Sequence, residues 1–157
     1  MNCDPDPLAA ALKALDDYAR SMVPVAAIGI TVAAYDGERL HLHAPLAPNL
    51  NDKGSVFGGS MNSLMTFASW GLVMVRLRLA GQEADVYVAD STAAYRTPLY
   101  ADLHAEAWIA PGQDWDAFLE SFRVRGRARI ALQSVIRLPE GGEAAEFSGR
   151  YAAIAKG

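Results

Sequence analysis

Cysteine is all but absent: Cys3 stands alone, so the chain can form no internal disulfide and offers no cysteine pair to a metal. That usage suits a reducing compartment and points to the cytoplasm. A basic excess is also missing. Lys and Arg number 14 against 18 Asp and Glu, a net charge of -4, which leaves nothing for the bulk phosphate neutralisation that nucleic-acid binding requires. The longest apolar run is broken by Arg76 and Arg78, and the opening Met-Asn-Cys-Asp-Pro-Asp-Pro lacks the basic start of a secretory leader, so neither a membrane span nor a signal peptide is expected. Repeats, low-complexity tracts and linkers are lacking too. With 157 residues, 52% of them hydrophobic and 20% charged, the chain suits one well-packed core, and a single domain over 1–157 is expected.

What is present centres on residues 48–71. A polar, turn-forming half (Pro-Asn-Leu-Asn-Asp-Lys-Gly-Ser) runs into Gly58 and Gly59, and then into an apolar stretch without proline that predicts a helix over 60–80. The first N–H groups of a helix have no internal partner and carry the positive end of its dipole, so a carbonyl oxygen or an anion can be held there. Glycine lets a ligand approach that backbone closely. Because the helix is apolar almost all round, from Met61 through Leu64, Met65 and Phe67 to Leu79, it should be buried.

In chain order, Leu8, Leu12, Leu15 and Ala19 predict an amphipathic helix over 7–20, ended by Pro24. Ala26 to Tyr35 reads as a strand, joined through Asp36-Gly37 to a second strand over 39–43. After the central helix come four strand-like segments, Asp85 to Ala94, Leu99 to Ile109, Phe122 to Leu138 and Ala144 to Ala155, with one helical turn at Trp115 to Glu120. The order predicts an α+β fold, an antiparallel sheet of about six strands wrapped around one long helix, which is the hotdog arrangement.

The run Pro45-Leu46-Ala47-Pro48-Asn49-Leu50-Asn51-Asp52-Lys53-Gly54-Ser55-Val56-Phe57-Gly58-Gly59-Ser60 resembles the loop-and-helix signature of the YiiD C-terminal family of thioesterases, and Tyr95-Arg96-Thr97-Pro98 with Asp102 resembles its strand signature. The resemblance implies the hotdog fold and action on acyl thioesters whose phosphopantetheine arm belongs to acyl carrier protein or coenzyme A, with no cofactor of the enzyme's own. That family includes malonyl-acyl-carrier-protein decarboxylases, which make acetyl-acyl carrier protein to initiate fatty-acid synthesis. Resembling hotdog proteins are dimers or larger that build each site from two chains. Asp85 to Ala94 has no proline to blunt edge pairing, and a homodimer at least is expected.

Asn51 lies seven residues before Gly58, where phenylacetate-type hotdog thioesterases, similar in this respect, carry an active-site Asn. Its amide can donate to a thioester carbonyl or a carboxylate but cannot act as a base; the other reading is a turn or capping Asn. Those enzymes place an acid eight positions after the first glycine, where this chain has Thr66, and Phe57 replaces the histidine that often precedes the glycines. Hydrolysis thus loses its usual base, while decarboxylation of a malonyl thioester needs only orientation and enolate stabilisation. Asn51 is therefore the catalytic candidate. Phe57, Gly58, Gly59, Ser60 and Thr66 are the substrate-binding candidates, with Ser60 either capping the helix or lining the pocket. A thioesterase drawing an acid such as Asp90 or Asp102 across a dimer, and a non-catalytic acyl-thioester binder, remain as alternatives.

Arg123, Arg125, Arg127 and Arg129 alternate with smaller residues, which on a strand sets four guanidinium groups on one face over ~20 Å. Arg125 and Arg127 are candidates for docking an acidic carrier or the phosphate of its arm; the other reading pairs the row with Asp102 and Glu106. His41, His43 and His104 alternate along strands as a solvated face does, and no metal is expected.

Overall fold

The computed structural model describes residues 6–157; Cys3 and its expected lack of a partner lie outside them. Helix α1 (Pro7–Ser21) begins with Asp6, whose side chain accepts from Leu8 N; Leu15 and Ala19 are buried as expected and Ala11 with them, while Leu8 and Leu12 are only partly buried. Pro24 does not end it. α1 stops at Ser21, and Pro24 sits in the first turn of a second short helix, α2 (Val23–Ile28), where a missing N–H costs nothing. The strand expected from Ala26 is therefore shorter: Gly29, at φ 80, closes α2 in the left-handed conformation, and β1 (Thr31–Tyr35) follows.

The Asp36-Gly37 turn to β2 (Leu40–Ala44) forms as expected. Asp36 Oδ1 accepts from Glu38 N at 2.9 Å and Arg39 N at 2.7 Å, while Gly37 takes φ 99. The 3₁₀ turn Ala47–Asn49 then leads to the central helix α3 (Gly58–Leu79), which starts two residues earlier than predicted. Next come β3 (Ala84–Tyr95), β4 (Leu103–Ile109), α4 (Trp115–Arg125), β5 (Arg127–Arg137) and β6 (Glu143–Ala155). The expected long strand over 122–138 is instead the end of a helix and a strand. Asp114 caps α4, Phe118 and Phe122 bury its inner side one turn apart, and Gly126 at φ 70 reverses the chain into β5.

All strand pairings are antiparallel in one sheet of order β1-β2-β4-β5-β6-β3, and β3 is an edge as expected. The inward residues of the sheet, among them Leu40, Leu42, Ala105, Leu132, Ile136 and Tyr151, close on the buried side of α3, where Leu64, Met65, Ala68 and Leu72 are wholly enclosed. α1 packs on α3 from the other side. The helix is thus wrapped by sheet and by α1, and among the described residues only one stripe of it stays open. No helix among the described residues is long and apolar enough to cross a membrane.

Candidate active site

Residues 45–60 form a loop held from within. Asn49 is buried, and its amide donates to Ile28 O at 2.9 Å and Pro45 O at 2.8 Å, which makes it a clamp on the loop's start. Asn51 clamps the far end. Its Oδ1 accepts from Lys53 N at 2.8 Å and Ser55 N at 3.1 Å, and its Nδ2 donates to Ser55 Oγ at 2.8 Å. The turn reading of Asn51 is therefore realised, and one amide hydrogen is left over. Asp52 and Lys53 pair with each other in solvent.

The second signature stretch meets the first in space. Val56 N donates to Leu99 O at 2.8 Å, and Leu46 N donates to Asp102 Oδ1 at 2.9 Å. The Tyr95 ring comes to 3.7 Å from where a Cβ on Gly58 would sit. Phe57 precedes α3 without capping it through its side chain, and no acidic residue stands in the helix's first turn. The Gly58 and Gly59 N–H groups find no acceptor among the described residues. Phe57's ring, more than half exposed, lies over Gly59 so closely that any Cβ there would collide with it. Ser60 N turns back to Phe57 O at 3.0 Å.

Beside α3 runs a cleft of about 490 Å³. The helix contributes Asn62, Ser63, Thr66, Phe67 and Trp70, β3 contributes Val88 and Ser91, β6 contributes Tyr151, and Met22 to Ile28 cover one end. At 100° per residue, Asn62, Ser63 and Thr66 lie on one stripe with Gly59, so the cleft leads back along the helix toward its N-terminus. Of the candidate residues only Thr66 lines the cleft; Asn51, Phe57, Gly58, Gly59 and Ser60 stand around the helix start beyond it. The Thr66 hydroxyl donates to Asn62 O at 2.8 Å, so it is a wall with its lone pairs free.

A bulge shapes the cleft's open side. The β3–β6 register shifts between Val88 and Asp90, leaving Ala89 as an extra residue. Side chains alternate along a strand, so Val88 and Asp90 would share a face without the bulge; with it, Ser91 joins Val88 on the helix side and Asp90 turns outward to Arg150. Trp70 Nε1 fastens the helix to this strand through Val86 O at 2.8 Å.

Among the described residues, no Asp, Glu, His, Lys or Arg side chain lines the cleft. Its one titratable group is Tyr151, whose phenol donates to Thr66 O at 2.8 Å and is pushed well above the ordinary tyrosine range by burial. The arginine row is redistributed: Arg123 and Arg125 end α4, Arg127 and Arg129 begin β5, and Gly126 separates them, so the four do not share a strand face. Nor do Asp102 and Glu106 pair with them. Asp102 holds Leu46 N, and Glu106 is gripped by Arg137, with Arg39 at 3.9 Å. Asn62, Ser63, Ser91 and Tyr151 are absent from the site expected on sequence. The signal for the helical pair is a polar stripe on an otherwise apolar helix, whereas Ser91 depends on the bulge and has none.

Among solved structures, the chain is similar to a Chlorobaculum tepidum protein of unknown function, at 28% identity and a TM-score of 0.87 over 99% of this chain and 100% of that one. It is similar to a Shewanella oneidensis protein described as "putative thioesterase", at 26% identity and TM-score 0.82 over 93% and 99% of the two chains. A Haemophilus influenzae thioesterase shares the fold at 16% identity and TM-score 0.71, over 92% of this chain and 90% of its own. The model of the family described as "Putative thioesterase (yiiD_Cterm)" matches residues 12–155, and the chain, a hotdog-fold protein, belongs to that family.

Proposed function

We propose that this protein acts on acyl thioesters and that its reaction is decarboxylation of a malonyl thioester to an acetyl thioester. One observation carries this reading: among the described residues, the cleft that leads to the helix start offers hydroxyl and amide groups and a phenol but no carboxylate, imidazole or amine to activate water, and the first turn of the helix holds no acidic residue. Decarboxylation needs none. The bond between the α-carbon and the carboxylate breaks, CO2 leaves, and the electron pair passes into an enolate whose oxygen takes the charge. A proton from solvent then restores the methyl group, and the C–S bond stays intact. An uncapped helix start with free Gly58 and Gly59 N–H groups suits the enolate oxygen, and the spare hydrogen of Asn51 suits the carboxylate or the thioester carbonyl. Ser60 and Thr66 then bound the acyl group, and the pantetheine arm enters over Phe57.

The site in this reading is completed by a second copy of the chain. Among the described residues β3 is an unpaired edge with Tyr87 and Val88 exposed, and it borders the cleft. Acyl carrier protein as the carrier, the cytoplasm as the setting and fatty-acid initiation as the purpose belong to the same reading. The family's description favours a second one, thioester hydrolysis, in which the partner copy must supply the missing base. Incubation with malonyl and acetyl thioesters separates the two. CO2 without free thiol is the expected result; thiol release from both substrates at comparable rates would establish hydrolysis, and silence with both would leave a binder.

A further inference from the structure

On the opposite face of the sheet from the cleft, three ligand-bearing side chains converge. His41 on β2 and His104 and Glu106 on β4 alternate with Leu40, Leu42, Ala105 and Ala107, which are wholly buried against the helix side. The register sets His41 opposite Glu106, and His43 opposite His104. His41 Nδ1 lies 3.2 Å from His104 Nε2 and 3.8 Å from Glu106 Oε1, and one ligand atom from each of the three falls within 4.8 Å of the others. Ligands ~2.1 Å from a tetrahedral ion stand ~3.4 Å apart, so the two nitrogens already span nearly one edge of such a site.

A second feature points the same way. His41 Nε2 lies 3.3 Å from Asp36 Oδ2, so the carboxylate can take the Nε2 proton's hydrogen bond and leave the Nδ1 lone pair aimed into the cluster. That is the arrangement by which a carboxylate fixes the tautomer of a metal-binding histidine. Asp36 is itself locked in the hairpin turn by the Glu38 and Arg39 N–H groups. The sequence offers only His41 and His43 as near neighbours, and the fold supplies His104 from 63 positions away.

We propose that His41 Nδ1, His104 Nε2 and Glu106 Oε1 bind a divalent transition-metal ion of the zinc class, with water completing the coordination, as a clamp between β2 and β4. Two imidazoles with one carboxylate favour such an ion over magnesium or calcium, which prefer oxygen throughout. With His41 Nδ1 unprotonated, the Nε2 proton that His104 donates to it must move to His104 Nδ1 or leave before an ion binds. The opposing charge is equally visible: Arg137 grips Glu106, and Arg39 stands 3.9 Å from it. Arg137 therefore competes with the ion for the carboxylate and limits affinity.

The test uses the untagged full chain, stripped with chelator and titrated with Zn2+ by calorimetry, with Mg2+ as the control. One zinc per chain is expected. At free zinc 100-fold above the dissociation constant the melting temperature should rise by roughly 5–11 °C. His104→Ala and His104→Gln should abolish saturable binding, Asp36→Asn should weaken it on the order of 10–100-fold, and Arg137→Gln should tighten it. Binding that survives both His104 substitutions, or Mg2+ binding as well as Zn2+, would overturn the proposal. So would a wild-type chain that shows no saturable binding at millimolar zinc.

Discussion

Asn51→Ala and Asn51→Asp separate the loop role of this residue from its proposed catalytic role, because the two substitutions differ in what they leave behind. Alanine removes the acceptor of Lys53 N and Ser55 N together with the donor to Ser55 Oγ. Lys53 N is exposed and can turn to water. Ser55 is only 4% exposed, so its N–H loses a partner that water cannot fully replace. Leaving such a donor unsatisfied costs about 1–3 kcal/mol, which for a chain of this length lowers the melting temperature by about 2–12 °C.

Aspartate keeps the acceptor for both N–H groups, and its second oxygen can accept from the Ser55 hydroxyl once that hydroxyl rotates. Asn51→Asp should therefore melt close to the wild type while losing the spare amide hydrogen and placing a negative charge beside the malonyl carboxylate. Calorimetry and a CO2-release assay on the same samples read both axes. Alanine should lose stability and, relative to folded protein, on the order of 10²–10³-fold in turnover. Aspartate should lose turnover alone. If Asn51→Ala melts with the wild type, the hydrogen bonds drawn from the loop contribute nothing. If Asn51→Asp turns over malonyl thioester at the wild-type rate, the amide is only a turn residue.

Two further perturbations address the frame that holds the site. A Cβ on Gly71 would lie 2.9 and 3.1 Å from the Leu15 methyls and 3.2 Å from Leu40 Cδ2, so Gly71→Ala should destabilise by about 0–2 kcal/mol after ~1 kcal/mol of gained helix propensity. A double-mutant cycle with Leu15→Ala, read by denaturant melts, should show the two changes partly cancelling, and strict additivity would deny the contact. Tyr151→Phe removes a donor to Thr66 O, which keeps its helical partner, so about 0.5–1.5 kcal/mol should be lost at neutral pH. Burial raises the folded phenol above its ordinary 10.0, so the unfolded chain ionises first; Tyr151's contribution is intact below pH 10 and declines as pH rises. Stability measured between pH 9 and 11 should accordingly fall less steeply in the phenylalanine variant.

Residues whose role depends on local pattern are legible in the amino-acid sequence. The apolar wrap of α3 and the Asp36-Gly37 hairpin each follow from periodicity or turn chemistry within a few residues, whereas the edge position of β3 follows from the resemblance to hotdog proteins. Residues whose role depends on register are not. Ala89 carries no mark of a bulge, yet it decides that Ser91 faces the cleft and Asp90 faces away. His104 lies far along the chain from His41, and only the β2–β4 pairing joins them. At α2, Ala26 to Ile28 suggests a strand by its continuity with the β-branched run that follows; burial of Ile28 and the left-handed Gly29 override it. The alternating arginines mislead in the same way, since their period of two competes with the helical spacing of Phe118 and Phe122, and the buried aromatic pair decides the outcome.

The break at Gly126 changes what the arginines can do without removing their charge. Arg125 at the end of α4 and Arg127 and Arg129 on β5 line one concavity of about 380 Å³ with Ser121, and none of the three forms an ion pair among the described residues. A bend at Gly126 makes a compact cationic patch where a straight strand would have spread the charges along ~20 Å. A compact patch matches a phosphate or a short acidic helix face better than an extended one does. If it docks the acidic carrier, Arg125→Glu and Arg127→Glu should each lower kcat/KM for the carrier-linked malonyl substrate on the order of tenfold at low salt, with the loss shrinking as salt rises. A malonyl-pantetheine substrate, which has neither carrier nor phosphate, should be turned over unchanged, and coenzyme A, which keeps the phosphates, tells the two attachments apart. Equal loss on all three substrates, with unchanged melting temperature, would place these arginines in the reaction itself and refute a docking role.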